Sequence, residues 1–158
     1  MPNPASQISI RPARPEDATT LSAIALASKA HWGYDAAFMA ACAAELAISP
    51  EQIASRPTFC LWDGDLLAGF ATLAPAEGGE VELDALFLAP SHIGAGLGRR
   101  LFEHARSAAA ALGYRTMIIQ ADPHAAPFYE RMGAALVGTR PSASIPGRTL
   151  PLFQIALA

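Results

Sequence analysis

Residues 86–101, LFLAPSHIGAGLGRRL, set three glycines at alternate positions, Gly94, Gly96 and Gly98, between an apolar run that stops at Pro90 and an apolar pattern of helical spacing. Glycine has no Cβ and reaches positive φ cheaply, so such a run marks a loop that turns sharply or lets a ligand lie against its amides. The first turn of the helix that follows carries N–H groups without intrahelical partners and the positive end of the macrodipole, which together favour a phosphate. The stretch predicts a strand, a phosphate-binding turn and a helix in succession.

The spacing narrows the kind of phosphate loop. A dinucleotide fingerprint, G-x-G-x-x-G, would need glycine at Arg99 or at Leu101, and a phosphate loop of the Walker type needs a lysine before Ser or Thr. Neither frame fits. That weakens the dinucleotide reading without removing it, because Asp122, at the end of the next apolar run, stands where a ribose-binding acid would sit.

Outward from the glycines, Leu97, Leu101, Ala105, Ala108, Ala109 and Leu112 share one helical face and Arg99, Arg100, Glu103 and Arg106 the other, with Gly113 as the stop. Upstream, EVELDALFLAP (80–90) alternates Val81, Leu83 and Ala85 against Glu82 and Asp84 before an apolar end, a strand whose last residues are buried on both faces. TFCLWDGDLLAGFATLAP (58–75) is a hairpin turning at Asp63-Gly64-Asp65. QISIRPA (7–13) reads as a first strand, residues 15–30 as a helix, and Asp35 as the cap of a second helix running to Leu46, followed by a short helical turn or loop over 48–57. RTMIIQA (115–121) is a strand, 124–133 a short helix, and 134–140 with 149–158 a closing pair of strands. The order predicts an α/β (α+β) fold in one domain spanning 1–158.

Composition bounds the function. The 158 residues are 52% hydrophobic and 16% charged, with a net charge of −3, so the chain folds around a core and offers no dense cationic face for nucleic acid or an anionic membrane. No stretch approaches a membrane span and the N-terminus has no apolar run of signal-peptide length, so the expectation is a cytoplasmic protein. Cys42 and Cys60 lack metal-type spacing and read as buried free thiols.

Residues 86–101 followed by ADPHAAPFYERMGA (121–134) resemble the two signature segments of the GNAT N-acetyltransferase superfamily. The first is similar to its acetyl-CoA loop, Q/R-x-x-G-x-G/A, through Gly96 and Gly98; the second to its A-x-x-F-Y-E-x-x-G helix, through Ala125, Phe128, Tyr129, Glu130 and Gly133. Residues 8–21 look like the family's first strand and helix, so the likeness covers most of the chain. Two positions depart from the pattern: Ile93 stands where the family usually has Gln or Arg, and Asp122 where it often has Asn. Without the Gln or Arg side chain, backbone amides are left as the loop's main phosphate donors.

The resemblance implies a central mixed, mostly antiparallel sheet flanked by helices, acetyl-CoA as cosubstrate, and transfer of acetyl to a primary amine of a small molecule or peptide by direct attack on the thioester. It also admits a homodimer. The alternative is an acyl-CoA-binding sensor of the same fold that has lost turnover. Main-chain N–H groups around Phe87 and Leu88 would meet the acetyl carbonyl or pantetheine, and the amides of Ile93, Gly94, Ala95, Gly96, Leu97, Gly98 and Arg99 the pyrophosphate, with Ala125 and Phe128 alongside.

An alkyl amine is protonated at neutral pH, with a pKa of ~10, so transfer needs a base. Glu82 and Asp84, two apart on one strand, are both candidates, and both also read as solvent-facing carboxylates; an acid at the Glu82 position is frequent in the family. Tyr129 is the candidate acid for the leaving thiolate. Trp32 and Tyr34, between the first two helices, and Arg148, in the last loop, are candidate acceptor contacts; a helix junction and a solvated turn explain them as well.

Overall fold

Asp35 caps a helix in the way its place before an alanine-rich run predicts: its carboxylate accepts the Phe38 N–H at 2.8 Å. Ser49 does the same for a shorter one, in a reciprocal box with Gln52. The computed structural model describes residues 7–157; of the expected segments, Ala158 of the closing strand and the first six residues of the N-terminal stretch lie outside them. In chain order the elements are β1 (Ile8–Pro12), α1 (Ala18–Ala30), α2 (Ala36–Leu46), α3 (Pro50–Ser55), β2 (Thr58–Asp63), β3 (Leu66–Pro75) and β4 (Val81–Leu88). They continue with α4 (Leu97–Ala111), β5 (Thr116–Gln120), α5 (Ala126–Arg131), β6 (Ala135–Pro141) and β7 (Thr149–Ala156).

The strands form one sheet in the order β1-β2-β3-β4-β5-β7-β6, antiparallel throughout except between β4 and β5. That parallel pair is short. It registers only Val81 with Met117 and Glu82 with Ile118, after which β4 runs on to Leu88 and β5 to Gln120 unpaired with each other. A bulge lies where they part: Thr72 and Leu73 of β3 face Ala85 and Leu83, leaving Asp84 as the extra residue of β4. Bulges bend the strand that carries them and increase its twist, so the ends of β4 and β5 diverge.

Two cores flank the sheet. Leu101, Phe102, Met117, Ile119 and Phe153 anchor the one under α4 and α5. Leu21, Ala25, Cys60 and Phe70 anchor the other, under α1, α2 and α3. The bulge switches β4 between them: Val81 and Leu83 belong to the first core, but Ala85 belongs to the second, so the simple alternation expected through Ala85 breaks at Asp84. On α4 the expected face needs one exchange, since Leu112 is 58% exposed while Phe102 is fully buried. Leu112 follows the last helical turn, where the chain turns away from the sheet. Cys42 and Cys60 are free and buried; burial, aided by the charge of Asp17, pushes the Cys60 thiol up to about 12.

Candidate active site

The gap between the diverging strand ends opens a cleft of about 730 Å³ whose walls include Leu86, Phe87 and Leu88 of β4, Gln120 of β5 and Tyr129 of α5. Beyond Glu82 the β4 residues have no ladder partner on β5, and Leu83 to Leu88 line this cleft. The approach of β3 behind them depends on Gly69: a Cβ there would lie 2.6 Å from Leu88 Cδ2 and 2.8 Å from the Phe87 carbonyl oxygen.

The glycine turn closes one end of the cleft. Gly94 and Gly96 hold φ of 89° and 79°, a region that costs other residues about 1–2 kcal/mol. Gly98 has a different reason, since a Cβ there would meet Phe128 Cε1 at 3.2 Å. Gly96 caps α4 without any side-chain bond, so the amides of the first helical turn keep their capacity for an anion. Arg99 and Arg131 also line the cleft. An exposed anion-binding turn beside an unpaired strand end fits a long, phosphate-bearing ligand laid along β4.

Tyr129 is buried, packed edge-on to Phe128 at 5.2 Å and near Phe102 and Phe153. Burial pushes its phenol above the ordinary tyrosine range. No side chain among the described residues bonds its hydroxyl, yet none of their buried polar side-chain atoms is left unsatisfied, so the hydroxyl opens on the cleft. Glu82 and Asp84 line the same cleft, and each has an arginine that the sequence reading did not link to it. Arg140 of β6 donates to both Glu82 oxygens at 3.1 and 3.2 Å, and Arg56 to Asp84 at 3.0 Å. Glu82 is the more enclosed, with 21% of its side chain exposed against 41% for Asp84.

The model of the acetyltransferase (GNAT) family matches residues 24–134, more than half of the sequence. The chain belongs to this family. Its members use acetyl-CoA. No curated protein matches. Among solved structures this GNAT chain is similar to a GCN5-related N-acetyltransferase from Rhodopseudomonas palustris, at 23% identity and a TM-score of 0.76 over 94% of this chain and 95% of that one. It is similar to PaiA N-acetyltransferase from Thermoplasma acidophilum in complex with coenzyme A, at 19% identity and 0.78 over 94% and 98%. It is also similar to YncA from Salmonella typhimurium with its cofactor acetyl-CoA, at 20% and 0.69 over 96% and 94%. At these identities the likeness shows the fold alone.

Of the positions singled out from sequence in this GNAT chain, Glu82, Asp84, Phe87, Leu88, Tyr129 and Trp32 all line the cleft. So do Ile93, Gly94, Gly96, Gly98, Arg99, Ala125 and Phe128. Leu97 instead packs into the core, and Ala95 is exposed beyond the cleft wall. Tyr34 and Arg148 also stand behind the wall, in a cluster built on Asp122. One Asp122 oxygen takes Lys29 Nζ and the Tyr34 hydroxyl, each at 2.8 Å; the other takes the His124 N–H at 2.8 Å. Arg148 donates to the Tyr34 hydroxyl at 2.9 Å and lies over the Phe38 ring at 4.9 Å. Burial and Asp122 together push the Tyr34 phenol up to about 12, keeping it a donor. The acid at the family's Asn position therefore faces two cations of its own chain, Lys29 at 2.8 Å and Arg148 at 3.8 Å. Trp32 stacks on His124, with centroids 5.1 Å apart and planes 5° from parallel, and extends this cluster along the cleft mouth.

Lys29, Arg56 and Arg140 went unnoticed in the sequence. Lys29 is the only lysine in the chain, a signal that was there to read; the two arginines carry none, because their partners lie 28 and 58 residues away.

Proposed function

We propose that this protein is an acetyl-CoA-dependent N-acetyltransferase that moves acetyl to a primary amine of a small molecule or peptide by direct attack on the thioester. One observation carries the reading: the only parallel strand pair among the described residues ends at Glu82 and Ile118, and the cleft beyond it is lined by a glycine turn and by the buried Tyr129, whose hydroxyl opens on it.

The coenzyme supplies an acyl group activated as a thioester. The amides of the glycine turn and the first turn of α4 hold its diphosphate, with Arg99 and Arg131 adding charge. Phe87 and Leu88 present backbone N–H groups that orient and polarise the acyl carbonyl. The amine enters from the side of α1 and α2, where Trp32, Leu46 and Leu150 line the cleft. Glu82, held by Arg140 and one of the residues lining the cleft, takes the ammonium proton directly or through water. Asp84, more exposed and paired with Arg56, is the second candidate for that task. Tyr129 gives its proton to the departing sulfur, a role suited to a phenol that burial keeps protonated. Tyr34 and Arg148 act on the acceptor by shaping its wall through Asp122.

The test is release of free thiol from acetyl-CoA with a panel of primary amines, including amino acids, diamines and peptides with free N-termini. Amine-dependent thiol release with a matching acetylated product is the expected result. Tight coenzyme binding with no turnover on any amine would refute the enzymatic reading.

A further inference from the structure

The segment between β4 and α4 is held at its ends and free in its middle. A Cβ built on Gly94 or Gly96 would meet no heavy atom within 4 Å, and Ile93 is 37% exposed. At the far end Leu97 is buried in the core under α4. At the near end the Ala89 N–H is tied to the Ala68 carbonyl of β3 at 2.7 Å, and the side-chain anchor is His92. Its Nε2 lies 2.9 Å from Oδ2 of Asp63, the last residue of β2, and its Nδ1 lies 2.8 Å from Ser91 Oγ. Both partners are well enclosed, with 14% of the His92 side chain and 9% of the Asp63 side chain exposed.

Among the described residues, no other side-chain hydrogen bond ties residues 90–96 to another element. The backbone adds only local closure, His92 N–H to the Ala89 carbonyl at 2.8 Å and Ile93 N–H to that of Pro90 at 3.4 Å. An imidazole protonated on Nε2 alone donates to Asp63 and accepts from Ser91, and a doubly protonated one donates to both, so the ring is fixed in either form. The β2–β3 hairpin does not need this contact for its register, since Asp63 pairs with Leu66 across the ladder.

We propose that His92, anchored on Asp63, is a positioning residue for the coenzyme: it holds the free-standing glycine turn in its anion-binding shape before the ligand arrives. A loop ordered in advance does not lose that conformational freedom on binding, and the saving appears as affinity. It matters more here because Ile93 leaves the turn without a Gln or Arg side chain, so the orientation of the amides carries the diphosphate contact. The inference rests on reading the glycine turn as the diphosphate site.

Hydrogen exchange of the amides 93–98 in the free protein, joined to calorimetric titration with CoA, tests it. His92→Ala is expected to speed exchange of those amides, leave β2 and β4 unchanged, and weaken CoA binding by about tenfold. His92→Gln, whose amide nitrogen reaches the place of Nε2, is expected to recover most of both and serves alone should the alanine variant not fold. Equal exchange and equal CoA affinity in the alanine variant would overturn the proposal, as would exchange quickened throughout β2 and β4, which marks a general structural role. Wild-type protein that fails to bind CoA would instead refute the diphosphate reading, because the exchange measurement reports the anchor without ligand.

Discussion

Lys29 Nζ lies 2.8 Å from Asp122 Oδ2, joining the last turn of α1 to the turn between β5 and α5 across 93 residues of chain. Burial alone would raise the Asp122 carboxyl, but hydrogen bonds from Lys29, the His124 amide and Tyr34, with the charge of Lys29, outweigh it and hold its pKa below the ordinary value. A carboxyl lowered on folding contributes stability above its unfolded pKa of about 3.9, and that contribution is lost as pH falls through the folded value. Asp122→Asn should therefore cost about 2 kcal/mol at neutral pH, with the gap to wild type closing in acid. Thermal unfolding from neutral pH down to about pH 3 measures it; a constant gap would show that the Asp122 charge is not the source.

Tyr129→Phe keeps the ring among Phe102, Phe128 and Phe153 and removes only the hydroxyl. Turnover should fall by about tenfold or more while CoA affinity stays near wild type, the pattern of a group needed only in the transition state. Steady-state rates beside a CoA titration read both; undiminished turnover would take Tyr129 out of the mechanism.

The two carboxylates on β4 separate by enclosure. Glu82 is held through both oxygens by Arg140, whereas Asp84 and Arg56 form a solvent-exposed pair. Glu82→Gln should lower kcat by about a hundredfold and Asp84→Asn by less than about threefold. The reverse order would assign the base to Asp84.

Gly69 tests the strand geometry itself. Alanine would place its Cβ against Leu88 and the Phe87 carbonyl, and one of those contacts is backbone that cannot swing away. Gly69→Ala should destabilise the fold by about 2 kcal/mol and weaken CoA binding, because relief requires the end of β4 to shift. Denaturant unfolding with a CoA titration checks it; a variant as stable as wild type would mean that β3 and β4 adjust freely.

The sequence by itself determined the order and nature of the elements, because those signals are local. Asp35 caps within three residues, the hairpin turns within Asp63–Asp65, and Gly94 and Gly96 announce the positive φ that they adopt. It also marked the part of the cleft wall that the two short motifs and the end of β4 supply. The tertiary structure alone decided where β4 and β5 part, because a bulge at Asp84 is a matter of register between strands and alternation cannot reveal it. It alone joined Glu82 to Arg140, Lys29 to Asp122 and Asp63 to His92. These pairs lie 58, 93 and 29 residues apart, and their meeting follows from strand order and helix packing, which no window of sequence contains.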